Sequence, residues 1–124
     1  MGAVVVRDGA ILARAGNRVI ERADPTAHAE MLALRAAAAA LGVARLDDCD
    51  LYVTLEPCPM CAAAISLAHI RRLGFGAYDP KGGGVEHGPR IFAQPSCNHR
   101  PEVTGGLDET RAGELLKRFF AERR

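Results

Sequence analysis

The sequence contains no tryptophan, only 5% aromatic residues and only four cysteines among its 124 residues. Four cysteines do not indicate a disulfide-rich scaffold, so we expect a reducing, cytoplasmic environment with Cys49 and Cys97 as free thiols. No apolar run approaches the length of a membrane span, and no signal peptide is recognisable. We therefore expect no association with a membrane.

The sequence also lacks a strong excess of charge of either sign. Sixteen basic residues against fifteen acidic ones give a formal net charge of +1, which excludes a global basic field that would attract nucleic acid. Lys81 and Lys117 are the only lysines, so most of the positive charge is arginine. Arginine suits planar contacts with phosphate and guanine, although a G+C-rich genome produces the same bias.

One Cys-x-x-Cys pair follows a short predicted strand. Residues 51–55 are rich in β-branched and aromatic side chains and predict a buried strand, which the following Glu-Pro ends. Pro59 suits the first position of a helix, and the residues after it predict a helix over about 59–68. Cys58 and Cys61 then lie at a helix N-terminus, which favours thiolates. The pair alone is also compatible with a redox site or with two inert thiols.

A His-x-Glu motif lies about thirty residues before the cysteines. Asp24-Pro25-Thr26 is typical of a helix start and predicts a largely buried helix over about 25–41. His28 and Glu30 would then lie in its first turn, where residues two apart point about 200° away from each other. Both can act at one centre only if this turn is distorted or if Glu30 curls back under the ion.

The histidine and the two cysteines together indicate a zinc site of the catalytic kind. A structural zinc site uses four protein ligands, and the sequence has no second pair at the required spacing. His28, Cys58 and Cys61 supply three ligands and leave a fourth position open for water, whose pKa zinc lowers to about 7. Glu30 is not counted as a ligand and is available to move protons.

Strand and helix patterns alternate along the rest of the chain. Asp8-Gly9 between two apolar runs is a strong hairpin signal, and further strands are predicted near 73–77 and at 102–104. Residues 107–124 predict a closing amphipathic helix. We expect one α/β domain over residues 1–124, a three-layer α/β/α sandwich around a mixed sheet of about five strands.

The glycine- and proline-rich segment 79–101 is too long for a plain connection, so we expect it to shape a site. It contributes two of the stretches that go beyond the metal motif. These stretches are Asp24-Pro25-Thr26-Ala27-His28-Ala29-Glu30, Leu51-Tyr52-Val53-Thr54-Leu55-Glu56-Pro57-Cys58, Phe75-Gly76-Ala77 with Asp79-x-Lys81, and Asn98-His99 before Arg100. With them the chain resembles the bacterial tRNA-specific adenosine deaminases of the cytidine deaminase-like superfamily, whereas the zinc motif alone is typical of the whole superfamily.

The resemblance implies hydrolytic deamination of adenosine to inosine at the wobble position of a tRNA anticodon. His28, Cys58 and Cys61 would bind one Zn²⁺ per subunit, and Glu30 would carry protons from water to the ring N1 and to the departing amine. The partner would be an anticodon stem-loop, whose unpaired bases are extruded at low cost. The resemblance also implies a homodimer in which the neighbouring subunit helps to complete the active site.

Further residues would contact RNA if the resemblance holds. Asn17 matches a position that hydrogen-bonds the flipped nucleotide, and Leu55 would form an apolar wall of the pocket. Asp79 and Lys81 would contact a ribose 2′-OH and a phosphate of neighbouring nucleotides. The other candidates for contact with the anticodon loop are Asn98, His99 and Arg100. A plain turn or loop role is the alternative for each of these residues except Leu55.

One departure and two rival functions remain open. The resemblance implies an amphipathic helix before the first strand, whereas Met1 here directly precedes that strand, so we expect a start assigned too far downstream or a truncation. If the chain does start here, we expect one face of the sheet to lose its cover and to expose an apolar patch. Deaminases of free cytosine, cytidine or guanine share the metal motif and differ in the region 79–100. A non-catalytic zinc protein that binds RNA or a partner subunit could dispense with Glu30.

Overall fold

The computed structural model describes residues 2–107, which form a five-stranded mixed sheet and two α-helices. The elements are β1 (Gly2–Arg7), β2 (Ala10–Gly16), α1 (Ala29–Leu41), β3 (Cys49–Leu55), α2 (Pro59–Leu67), β4 (Arg72–Ala77) and β5 (Glu102–Thr104). A short 3-10 helix, Ile91–Ala93, precedes β5. Apart from Leu107, the predicted closing helix over 107–124 lies outside the described residues.

The strands lie in the order β2-β1-β3-β4-β5. β1 pairs antiparallel with both β2 and β3, whereas β3, β4 and β5 are parallel, which confirms the predicted mixed sheet. The β1–β2 hairpin turns at Asp8 and Gly9, whose φ angles of 51° and 77° are the left-handed values that a tight hairpin requires. The carboxyl ends of β3 and β4 meet at one edge of the sheet, and the chain leaves both strands there.

The main core lies between one face of the sheet and both helices. Ala3 and Val5 of β1 alternate with Val4 and Val6, as expected for a strand that is buried on both faces. The first pair packs with buried residues of α1 and α2, and the second pair packs with Leu107 on the opposite face. Val4 and Val6 are therefore not part of an exposed apolar patch.

The predicted start and burial of α1 were wrong. The helix begins at Ala29, and its C-terminal cap is Gly42 in the left-handed conformation. Only one face is buried, through residues such as Ala33 and Ala37, whereas Ala36 and Ala39 are exposed. Within residues 2–107, no helix is both long and apolar enough to cross a membrane.

Candidate metal centre and active site

The structure brings His28, Cys58 and Cys61 together at one point. The Nδ1 atom of His28 lies 3.7 Å from the Sγ atom of Cys58 and 3.6 Å from the Sγ atom of Cys61. All three ligand atoms lie within 4.8 Å of one another. A tetrahedral zinc ion bound to sulfur and nitrogen at ordinary distances holds these two kinds of atom about 3.6 Å apart. The residues present therefore fit a zinc ion with three protein ligands.

Two helix N-termini supply the three candidate ligands. His28 is the N-cap of α1 and Cys58 is the N-cap of α2, and both have extended backbone conformations. Neither side chain makes a capping hydrogen bond, so both remain available as ligands. Cys61 follows in the first turn of α2, three residues after Cys58. The positive ends of two helix dipoles thus face a site that requires thiolates.

A turn places His28 just outside its helix. The Oδ1 atom of Asp24 accepts hydrogen bonds from the backbone N–H and the hydroxyl of Thr26, so Asp24-Pro25-Thr26 forms a turn and does not start α1. The backbone carbonyl of Ala27 accepts a hydrogen bond from the N–H of Arg18, at 2.9 Å, which ties this turn to the segment after β2. The helix-start motif therefore lies four residues before the helix begins.

Glu30 is the second residue of α1 and is buried next to the ligands. Burial raises the pKa of its carboxyl group, and the negative charge of Cys58 adds to this effect. Glu30 does not belong to the group of side chains whose geometry suits a metal. The sequence placed both His28 and Glu30 in one helical turn, where their side chains would point in nearly opposite directions. This conflict does not arise, because only Glu30 lies within the helix and His28 precedes it.

The two thiols share a hydrogen bond that favours a thiolate on Cys58. The Cys61 thiol lowers the pKa of Cys58 to about 5, and the backbone N–H of Cys61 contributes, although burial opposes both. The same contact, together with burial, raises the pKa of Cys61. A metal ion that binds both sulfurs would displace the proton that they share.

Glu56 is a buried residue of the site that the sequence interpretation used only as a strand end. Its carboxylate is fully shielded from solvent and accepts five hydrogen bonds from the segment 79–87. Burial alone would raise the pKa of Glu56, but the hydrogen bonds outweigh it and lower the pKa to about 2. The only signal in the sequence is an acid between a buried strand and the cysteine motif, which is a weak one.

The segment 79–87, called here the 79–87 loop, packs on the backbone at the start of α2, called here the cysteine helix. The N–H of Gly84 donates to the carbonyl of Pro57 at 2.8 Å. A Cβ atom added to Gly84 would lie 2.5 Å from the backbone nitrogen of Pro59, so only glycine permits this approach. The backbone of residues 57–59, which carries Cys58, therefore contacts the loop directly.

Three of the predicted RNA-contacting residues lie at the carboxyl edge of β3 and β4. Leu55 is the last residue of β3 and pairs with Ala77, two residues before Asp79. The Oδ1 atom of Asp79 accepts hydrogen bonds from the N–H groups of Lys81 and Gly82, which holds the start of the loop in a turn. Leu55, Asp79 and Lys81 thus lie at the edge from which the cysteine helix begins.

Asn17 directly follows the last residue of β2 and lies one residue before Arg18. Its Oδ1 atom accepts a hydrogen bond from the N–H of Val19 at 3.0 Å, which is the turn geometry expected of asparagine. Because Arg18 is bonded to Ala27, Asn17 is the neighbour of the residue that ties the turn before His28 to the segment after β2.

The predicted contacts at 98–100 lie near the other end of α2. His99 stacks on His69, and its Nε2 atom contacts the carbonyl of Ile70 at 2.7 Å. Arg100 donates hydrogen bonds to the carbonyls of Phe92 and Gln94. Asn98 lines a cavity of about 310 Å³ together with residues such as Ser66. Ser66 is eight residues after Cys58, so this region lies about 12 Å along the helix axis from the metal centre.

Comparisons with known proteins agree with this geometry. Residues 1–77 match the model of the cytidine and deoxycytidylate deaminase zinc-binding region. A tRNA-specific adenosine deaminase of Agrobacterium fabrum is 59% identical over 124 residues, which are 100% of this chain and 82% of the relative.

Solved structures give the same likeness. One comes from a study of A-to-I editing by tRNA:A34 deaminases at the wobble position of transfer RNA. It is 60% identical with a TM-score of 0.85, over 92% of this chain and 83% of that one. The guanine deaminase of Bacillus subtilis is 35% identical with a TM-score of 0.62, over 98% of this chain and 78% of that one.

Proposed function

We propose that this chain, which belongs to the tRNA-specific adenosine deaminases, converts adenosine to inosine at the wobble position of a tRNA anticodon. The observation that carries the proposal is the convergence of His28, Cys58 and Cys61 at zinc-binding distances beside the buried acid Glu30. The reaction consumes one water molecule and releases ammonia.

The proposed mechanism assigns separate tasks to the ligands and to the acid. His28, Cys58 and Cys61 would hold one zinc ion per chain, and zinc in such a site makes water a nucleophile at neutral pH. Glu30 accepts a proton from the attacking water and delivers it to the ring N1 as oxygen bonds to C6. It then carries the second proton of that water, from the new hydroxyl on C6, to the amine, so that the C6–N bond breaks, the C6 carbonyl forms and ammonia leaves. The burial of Glu30 supports this role because bulk water does not compete for the proton.

The RNA-binding assignments come from the family resemblance, and we propose them here with the position of each residue as support. Leu55, Asp79 and Lys81 at the carboxyl edge of the sheet would contact the flipped base and its neighbours. Asn17, beside the turn that positions His28, would hydrogen-bond the flipped nucleotide. Residues 98–100 would meet a more distant part of the anticodon stem-loop, which can span the length of α2.

Three further properties belong to the same proposal. We infer a single-domain subunit, a homodimer and a cytoplasmic location. All four cysteines are free thiols in the structure, which fits a reducing compartment. Light scattering of the purified zinc-loaded protein tests the dimer, because a monomer mass at micromolar concentration would contradict it.

The choice of substrate separates the proposal from its nearest rival, a deaminase of free bases or nucleosides. This rival has specific support in the likeness to guanine deaminase. We expect the zinc-loaded protein to form inosine in a synthetic anticodon stem-loop and to leave free adenosine, cytidine and guanine unchanged. Turnover of guanine or cytidine without turnover of the stem-loop would replace the proposed function with the rival.

Two variants test the assignment of tasks. Glu30→Ala should retain bound zinc and lose at least about 100-fold in kcat, because general acid–base catalysis contributes on this scale. Cys58→Ser should lose both zinc and activity. Zinc content by atomic absorption and inosine formation by chromatography give the two readouts. Ordinary turnover by Glu30→Ala would contradict the proton-transfer role.

A further inference from the structure

The carboxylate of Glu56 is enclosed by hydrogen-bond donors from the 79–87 loop. Its Oε2 atom accepts from three successive backbone N–H groups, those of Val85, Glu86 and His87, at 3.2, 2.9 and 3.1 Å. Its Oε1 atom accepts from the N–H of Asp79 at 3.0 Å and lies 2.9 Å from Nδ1 of the His87 ring. Successive N–H groups of this kind form an anion-binding nest, and here a side chain of the protein occupies it.

The loop is closed on itself around this carboxylate. The carbonyl of Asp79 accepts a hydrogen bond from Gly83 at 2.8 Å, and its side chain holds the N–H groups of Lys81 and Gly82. A Cβ atom added to Gly83 would lie 2.4 Å from the Oε2 atom of Glu56, so the loop backbone packs directly on the carboxylate. The position of Asp79 and Lys81 therefore depends on Glu56.

The same loop is attached to the cysteine end of the metal centre. Gly84 bonds to Pro57, and its carbonyl accepts the N–H of Ile91 at 2.8 Å. Glu56 thus lies between the end of β3, the loop and the start of α2. The candidate metal ligands lie at the N-termini of α1 and α2, outside the loop, and none of the five hydrogen bonds to Glu56 involves them.

We propose that Glu56 is a positioning residue for substrate binding, which fixes the 79–87 loop so that Asp79 and Lys81 face the RNA beside the deaminated base. This inference rests on the proposed function, since it assigns the loop to an RNA substrate. Glu56 touches neither substrate nor metal in this scheme. Its loss should loosen the loop and weaken RNA binding while the zinc site persists.

Glu56→Gln is the test variant. Glutamine keeps the shape of the side chain but replaces one acceptor oxygen with a donor NH2 group, which must face N–H groups that need an acceptor. The matched control is Glu86→Gln, which removes a negative charge from an exposed side chain of the same loop and leaves the backbone contacts intact. His87→Leu removes the ring contacts with Glu56 and Tyr78 but keeps the backbone N–H bond to Glu56, and it serves if Glu56→Gln does not fold.

The readouts are zinc content, kinetics on an anticodon stem-loop, and amide hydrogen exchange of the zinc-loaded protein. We expect Glu56→Gln to bind zinc fully, to raise KM about tenfold and to change kcat less than about threefold. In Glu56→Gln, faster amide exchange should be confined to residues 79–87. His87→Leu should raise KM about threefold. Glu86→Gln should match the parent protein in all three measurements.

Three outcomes would overturn the inference: an unchanged KM, a loss of zinc, or faster exchange throughout the sheet. The last two would mean that Glu56 only supports the fold. Failure of the proposed function looks different, because the parent protein itself would then not deaminate the stem-loop. The exchange measurement still decides, in that case, whether Glu56 fixes the loop.

Discussion

The contact between Gly84 and the start of α2 makes Gly84→Ala an informative substitution. The added Cβ atom would lie 2.5 Å from the backbone nitrogen of Pro59, 2.6 Å from its Cα atom and 2.9 Å from the carbonyl carbon of Cys58. All three are backbone atoms, so no side chain can rotate away. Ordinary contacts of a Cβ atom begin near 3.4 Å. The loop and the helix must therefore separate by roughly 0.9 Å at the closest atom, the difference between these two distances.

The cost of this separation can be bounded. Extra atoms in a well-packed site cost about 1–3 kcal/mol of unfolding free energy. For a domain of this size each kcal/mol corresponds to about 3–5 °C in melting temperature, so Gly84→Ala should melt about 3–15 °C lower. The affinity for zinc should fall as well, because the displaced backbone carries Cys58.

Gly82→Ala is the matched control for this experiment. Its Cβ atom would lie 3.0 Å from the Oδ2 atom of the half-buried Asp79 side chain, and this side-chain oxygen needs to shift only slightly, unlike the backbone atoms beside Gly84. We expect its free energy of unfolding to stay within about 0.5 kcal/mol of the parent. Calorimetry and competitive zinc titration give the two measurements. If Gly84→Ala melts and binds zinc like the Gly82→Ala control, the loop does not pack on the cysteine helix as described.

Two further predictions concern parts of the molecule away from the metal. Asp50 forms two hydrogen bonds with the guanidinium of Arg71, at 3.0 and 3.1 Å, from a largely buried side chain. Asp50→Asn should lower the free energy of unfolding in urea by about 1–3 kcal/mol. Asp47→Asn, in an exposed ion pair with Arg45, should lower it by less than about 1 kcal/mol. Equal losses would show that burial of the ion pair makes no difference. Burial raises the pKa of the Cys49 thiol to about 11, so iodoacetamide at pH 8 should modify the partly exposed Cys97 first in the zinc-loaded protein. Mass spectrometry checks this order, and equal labelling of both thiols would contradict it.

The sequence predicted those parts of the fold that local chemistry determines. The β-branched residues of β1 and β3 and the glycine at the hairpin turn fix strands and a turn without help from distant residues. Pro59 predicted the first residue of α2 because proline fits that position in any helix. The sequence also predicted the group that the structure brings together, His28, Cys58 and Cys61, because zinc restricts both the residue types and their spacing.

The start of α1 was predicted wrongly because one local pattern serves two structures. An aspartate followed by proline and threonine can begin a helix or close a turn through its side chain. The hydrogen bond from Arg18 to Ala27 decides between them, and it joins residues nine apart. Glu56 was missed for the same reason, since its donors lie 23 to 31 residues further along the chain.

The spacing of both metal motifs follows from where the two helices begin. His28 and Cys58 are N-caps in extended conformation, so their side chains are not bound to the faces of the helices that follow. Glu30 is the second residue of α1 and Cys61 is the third residue of α2, where the Cys61 thiol contacts the sulfur of Cys58. If the helix began before His28, two intervening residues would be needed to place the histidine and the acid on one helical face. Because His28 is the N-cap, one intervening residue is enough to bring both side chains to the same site. The His-x-Glu and Cys-x-x-Cys spacings are therefore those of a capping position and the first turn, which lets two helix dipoles face one metal ion.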